Sequence, residues 1–182
     1  MKKLLLVFCF LFLASSTVNA GIYLDNMNRF QIVTPENWRL SGRDQTIDHD
    51  AIFEIHQDNA SHNDRTLIGI KTTVAKENRQ DFSFANMTDA EKSRLHDQTY
   101  QKFSANLPEH SSIDSHQFLD YGTNTFLVTT ISHQKEGQVY KAITAITYFA
   151  DRQYTFYLFA NSNNNQAKEE FSQMLASFQI LK

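Results

Sequence analysis

Three runs rich in β-branched and aromatic residues, 125–131, 139–149 and 154–160, follow one another along the second half of this chain. Short polar turns, Glu136-Gly137 and Asp151-Arg152, separate them. A crossover to a parallel strand needs a dozen or more residues, so links this short join antiparallel neighbours. The spacing predicts an antiparallel meander. The last two runs carry apolar side chains at both odd and even positions, which predicts central strands covered on both sides. Residues 113–121 form a weaker strand candidate just before them.

Two helices are expected around that sheet. Thr88 and Glu91 have the spacing of a capping box, in which each side chain satisfies a backbone N–H left unpaired in the first turn. Leu95, Thr99, Tyr100, Phe103 and Leu107 follow at helical spacing, with Glu91, Lys92, Arg94, Asp97 and Lys102 on the wet side and Pro108 marking the end. At the C-terminus Ala167, Phe171, Met174, Leu175 and Phe178 recur in steps of three and four, and Ser162 or Asn163 could cap that helix. Lys168, Glu169 and Gln173 would form its outer face.

Nearer the N-terminus, residues 21–24 and 30–34 read as strands, with Asp25, Asn26 and Asn28 supplying the turn between them and the stretch from Pro35 to Trp38 ending the second. Residues 47–58 alternate, with Ile47, His49, Ala51, Phe53 and Ile55 on one side and Asp48, Asp50, Glu54, His56 and Asp58 largely on the other. They pair in a long-loop hairpin with residues 66–75. Helices mid-chain and at the end can cover both faces of the sheet, so the expected fold class is α+β, an antiparallel sheet in an α/β/α sandwich. No repeat, linker or composition shift divides residues 21–182, which read as a single domain.

The first twenty residues have a different character. Lys2 and Lys3 precede an apolar run from Leu4 to Leu13, and Val18 and Ala20 suit the subsites of signal peptidase. Cleavage between Ala20 and Gly21 is the expectation. The run is short against the roughly 20 apolar residues that span a bilayer, so no stable membrane span is expected after cleavage. Cys9 is the only cysteine and lies inside that run, so the mature chain would hold no disulfide, thiolate metal site or cysteine nucleophile. Loss of the two lysines makes the mature chain more acidic than the formal net charge of -3, and no basic stripe appears. Nucleic acid is thereby excluded as a partner.

Two stretches carry a family resemblance. Arg29 to Trp38 runs from a strand into a Pro-x-x-Trp turn, and the strand 154–160 is followed by a helix ending in Ser177 and Phe178. Both resemble the PsbP-like fold family, which includes bacterial DcrB-like periplasmic proteins. The resemblance implies a small binding or adaptor domain of the envelope, and no catalytic motif travels with it. The long polar stretch 76–88 departs from the family pattern.

Asp48, His49, Asp50, His56, Asp58, His62 and Asp64 combine imidazole and carboxylate, yet His49 and His56 fall on opposite sides of a strand and the ligand spacing fits no closed zinc site. The stretch 58–64 lacks the glycine and terminal Glu of a calcium loop. His110 with Ser111 and Ser112, and Ser132 with His133, place hydrolase residue types side by side without a nucleophile elbow. Glu169 and Glu170 read as a solvated pair. Trp38 reads as a core plug rather than an exposed anchor. Phe126, Tyr140, Tyr148, Phe149, Tyr154, Phe156, Tyr157 and Phe159 could line an apolar pocket or simply pack the core.

The sequence thus predicts an exported, non-catalytic binding domain, periplasmic or secreted, that needs no cofactor and binds another protein. The alternative is a carrier of an apolar small ligand in a pocket lined by sheet aromatics. A metal-dependent or serine hydrolase ranks third.

Overall fold

The structure, a computed structural model, describes residues 21–41, 50–57, 66–74 and 82–181. Within them the chain runs through β1 (Gly21–Asp25), β2 (Phe30–Thr34), β3 (Trp38–Leu40), β4 (Phe53–Gln57), β5 (Leu67–Val74), a 3-10 turn (Phe84–Asn86) and α1 (Asp89–Ala105). It continues as β6 (Ser111–Tyr121), β7 (Asn124–Lys135), β8 (Gln138–Phe149), β9 (Arg152–Asn161), α2 (Asn165–Ser177) and β10 (Gln179–Ile180). It is a sheet-rich antiparallel α+β fold with two α-helices among the described residues.

Strands β6 to β9 form the meander, and β5, β4 and β3 extend it to seven strands in the order β3-β4-β5-β9-β8-β7-β6. The turn at Glu136 and Gly137 has both residues at positive φ, 52° and 78°, the twist that suits a two-residue hairpin. The next turn lies one residue earlier than the sequence predicts, because Ala150 takes the positive φ and Arg152 already pairs with Phe149. Residues 113–121 are no weak strand: β6 spans eleven residues from Ser111, with a register shift between Ile113 and Ser115. A bulge on an edge strand bends it away from further pairing.

The N-terminal strands do not join that sheet. β1, β2 and β10 make a separate three-stranded sheet, which the sequence reading of one sheet missed. Its β1–β2 turn is held against the large sheet through Asn28. The Tyr154 hydroxyl donates to the Asn28 carbonyl at 2.8 Å, and Thr72 and Arg152 donate to its side-chain oxygen at 3.0 and 2.8 Å. Trp38 does not end β2 but opens β3, paired with Gln57.

The main core lies between the small sheet, α2 and one side of the large sheet. Phe30 and Ile32, then Phe53, Ile55, Ile68, Ile70, Phe126, Val128, Ala145, Tyr154, Phe156 and Leu158, close on Ala167, Phe171, Met174, Leu175 and Phe178. Phe126, Tyr154 and Phe156 are therefore core rather than pocket lining. α2 starts later than expected, with Asn164 rather than Ser162 or Asn163 as its cap, accepting from the Ala167 N–H. Trp38 is half-buried against this core, and its Nε1–H donates to Glu170 at 2.6 Å, so Glu170 is not the solvated group its neighbour Glu169 is.

α1 begins as predicted, with the Thr88–Glu91 capping box formed in both directions. It stops at Ala105, leaving Leu107 outside, and it buries none of its side chains fully. Its contacts are with β6: Phe103 meets His116, and Lys92 lies over the Phe118 ring. The 3-10 turn sets Phe84, fully buried, edge-on to Phe118 and Tyr148, with Phe82 beside Tyr148.

Candidate functional site

Strand alternation decides what the second side of the large sheet offers. Tyr154, Phe156, Leu158 and Ala160 of β9 are buried in the main core, whereas Thr155, Tyr157, Phe159 and Asn161 are only half-buried. Their cross-strand partners on β8, Tyr140, Ala142, Thr144 and Ile146, are half-buried as well. The expectation of strands covered on both sides fails here. Apolar residues occupy both sides, but on the second side the described residues leave part of the sheet open.

That opening is an apolar trough. Leu67, Ala142, Thr144, Tyr157 and Phe159 line a concavity of about 350 Å³. A second, of about 320 Å³, lies between the end of α1 and β7, lined by Phe103, Leu107, Pro108 and Ile131 with Thr99 and Lys102 at its edge. Ile131 and Ala142 are register partners on β7 and β8, so the two meet on one face. Tyr140 stacks flat on Phe159, 5.4 Å between centroids, and extends the apolar floor.

One device shapes the trough floor. Gly69 faces Tyr157 across the β5–β9 ladder, and a Cβ there would come within 2.0 Å of the tyrosine ring. The ring therefore lies down over bare backbone and its hydroxyl donates to Glu54 at 3.1 Å. Glu54, placed by alternation on a wet side, is instead buried, 4% exposed. We expect Gly69→Ala to swing Tyr157 up into the trough and cost about 1–3 kcal/mol, the range for overpacking a site. A loss below a few tenths of a kcal/mol by urea unfolding, with Tyr157 unmoved, would contradict this.

The polar clusters on the molecule do other work. His116, 8% exposed, sits between two threonines: Nδ1 is 2.7 Å from Thr129 Oγ1 and Nε2 is 2.9 Å from Thr99 Oγ1. His96 of α1 reaches the His116 carbonyl with Nε2 at 2.8 Å and Asp97 with Nδ1 at 3.0 Å. Burial, then the neighbouring His96, holds the His116 imidazole below its ordinary pKa. No sequence signal singled out either histidine, because the two are 20 residues apart and meet only when α1 docks.

Nor does a hydrolase site assemble from the adjacent pairs. Ser111 Oγ lies 2.9 Å from His133 Nδ1, a cross-strand neighbour rather than His110. Ser132 donates to Asp114 at 2.7 Å and accepts from Lys141 at 2.6 Å, while Lys141 also bonds Asp114 directly. Burial raises the Asp114 pKa, but the hydrogen bonds and charge of Lys141 and Ser132 outweigh it and the net shift is downward. The Ser132 hydroxyl hydrogen is thus committed to Asp114 and the Lys141 ammonium to both neighbours, an internally satisfied surface ion pair rather than a poised nucleophile.

Among the described residues no group of three or more metal-ligating side chains converges. Of the metal candidates, Asp50 and His56 are described, and His56 bonds Ser41 at 3.2 Å. Asp48, His49, Asp58, His62 and Asp64 lie outside the described residues, as does Ala20, while Gly21 opens β1. Among the described residues, no helix is long and apolar enough to cross a membrane.

The chain has a PsbP-like fold, in which a small antiparallel sheet here sits on a meander, one helix closes the core and another lies on β6. Three solved structures carry the likeness. Cyanobacterial PsbP (CyanoP) from Synechocystis sp. PCC 6803 matches with a TM-score of 0.60 at 9% identity, covering 92% of this chain and 95% of that one. LpqN of Mycobacterium tuberculosis, involved in cell envelope biogenesis, matches at 0.56 and 12% identity, covering 90% and 91%. A Bacteroides thetaiotaomicron crystal structure matches at 0.57 and 13% identity over 90% of this chain, which spans 49% of that longer one. No family model and no curated protein matches the sequence. At such identities the likeness is one of fold.

Proposed function

We propose that this chain is an exported, non-catalytic envelope domain that binds another protein through the apolar trough. The observation that carries this reading is the open, mainly apolar sheet face running from Phe103 and Ile131 through Ala142 to Phe159 and Leu67, with Lys102 and Lys71 at its margins. Its apolar side chains are half-buried without full cover among the described residues, and burying the remainder against a partner is favourable. A ligand pocket buries most of its occupant, while this trough is shallow and open along its length, which favours a polypeptide over an enclosed small molecule. The lone polar clusters are self-satisfied, which supports a role without catalysis.

The architecture in this reading is an α/β/α sandwich. Support comes from the register: α1 touches His116 and Phe118, paired with Thr129 and Leu127, whereas the α2 core takes the alternate residues Phe126 and Val128. The leader at residues 1–20, cut between Ala20 and Gly21, delivers residues 21–182 as one domain to the periplasm or the medium. LpqN's part in cell envelope biogenesis is in keeping with that address.

The test is Ala142→Glu, which puts a carboxylate in the middle of the trough at a half-exposed position. A partner retained from envelope extract by the wild-type chain is expected to be lost by roughly 30-fold or more, the size of a hot-spot effect of 2 kcal/mol or above. Thermal unfolding should be unchanged. Equal retention by both proteins would overturn the trough as the surface. A mass above that of the bare chain by native mass spectrometry would favour the ligand carrier instead.

A further inference from the structure

We propose that His116 is a pH-sensitive latch whose protonation releases α1 from the sheet and widens the groove between α1 and β7. The proposal rests on the reading of that face as the binding surface, and it names the regulation of that surface. α1 is a seventeen-residue helix with no fully buried side chain, so little apolar burial holds it down. Elements with few buried contacts open at the lowest free energies. What fixes α1 is a polar network at its middle.

The network has a defined proton count. The Thr99 hydroxyl donates to the Leu95 carbonyl at 2.7 Å, so toward His116 it accepts, and Nε2 of His116 is the donor. Nδ1 then accepts from the Thr129 hydroxyl, which is 1% exposed. The neutral ring satisfies both threonines. A second proton on Nδ1 points at the Thr129 hydroxyl hydrogen, which must turn away from Nδ1, its acceptor among the described residues. The added charge also stands 4.7 Å, ring to ring, from His96. On α1 the titratable groups turned to His116 are His96 and Tyr100, with Asp97 behind His96; on β7 it meets the uncharged Thr129.

The sign follows from the lowered pKa. Above the ordinary histidine value of about 6.5 the ring is neutral whether α1 is docked or free, and the full docking strength is present. As pH falls below that value the undocked form takes up the proton first, and docking weakens until the docked value is also passed. The groove beside α1, with Thr99 and Phe103 in its wall, opens with the helix.

Hydrogen exchange of the full chain at pH 7.5 and 5.0, corrected for intrinsic rates, tests this. α1 amides are expected to lose about tenfold or more of their protection at the lower pH, with α2 amides unchanged. In His116→Gln the α1 loss should vanish. Should that variant fail to fold, NMR titration of the wild-type His116 ring supplies the second readout, and its midpoint should coincide with α1 release. Equal changes in α1 and α2, no change in α1, or a His116 titration that leaves α1 protected would overturn the latch. None of these readouts requires a partner, so failure of the binding reading leaves them standing.

Discussion

Phe178→Ala is expected to remove about 3–5 kcal/mol of folding stability, the range for deleting a buried phenylalanine. The side chain is 1% exposed and its ring touches four others, Phe30 at 5.9 Å, Tyr154 at 5.2 Å, Phe156 at 5.0 Å and Phe126 at 6.2 Å. Those rings come from β2, β9 and β7, so one side chain ties the small sheet to the large one at the point where α2 ends. Domains hold together by only about 5–15 kcal/mol, and losing this much shifts the urea midpoint sharply. Trp38, the only tryptophan, sits half-buried on Glu170 of α2 and reports the transition by fluorescence. A loss under about 1 kcal/mol would show that the two sheets do not share one core.

The second large effect is at the β6–β7 turn. Gly122 has φ +59, and a Cβ there would stand 2.5 Å from the Ala176 carbonyl oxygen in the last turn of α2. Gly122→Ala incurs left-handed strain of about 1–2 kcal/mol and a backbone clash that no side-chain rotation relieves. Together they predict a loss of ~2–4 kcal/mol, read by the same urea unfolding. Gly137, with φ +78 and open space around it, is the control: alanine there incurs strain without collision and should cost less. Equal losses at the two positions would mean that α2 does not rest on the turn.

Why some of this was legible beforehand, and some not, follows from the range of the forces. The meander and the α1 start are local: two-residue turns and the Thr88–Glu91 box are written in adjacent residues. The stretch from Arg29 to Trp38 and the close at Ser177 and Phe178 pointed to the PsbP-like fold, which the structure has. β6 was undervalued because Ser111, Asp114, Gln117 and Asp120 break its apolar pattern; as an edge strand it needs only the ladder with β7 to hold it. β3 and β10, three and two residues long, are too short to show a period.

The trough was legible only in part: Tyr140, Tyr157 and Phe159 stand among the aromatics the sequence offers as pocket lining, but their opening to solvent does not show there. Alternation tells that Ala142, Tyr157 and Phe159 avoid water, not that this chain supplies the cover. Nor does local sequence foretell that Glu54 lies under a tyrosine hydroxyl, since that depends on Gly69 and Tyr157, 88 positions apart by number, meeting across a ladder. His96 and His116 belong to the same class of tertiary accident.

The most direct measurement places a photo-crosslinking amino acid at Thr144, in the trough, and separately at Glu169, exposed on α2, in chains produced in living cells. One discrete protein adduct is expected from position 144, lost when Ala142→Glu is added, and none from position 169. No adduct from 144, or the same adducts from both positions, would contradict binding through the trough.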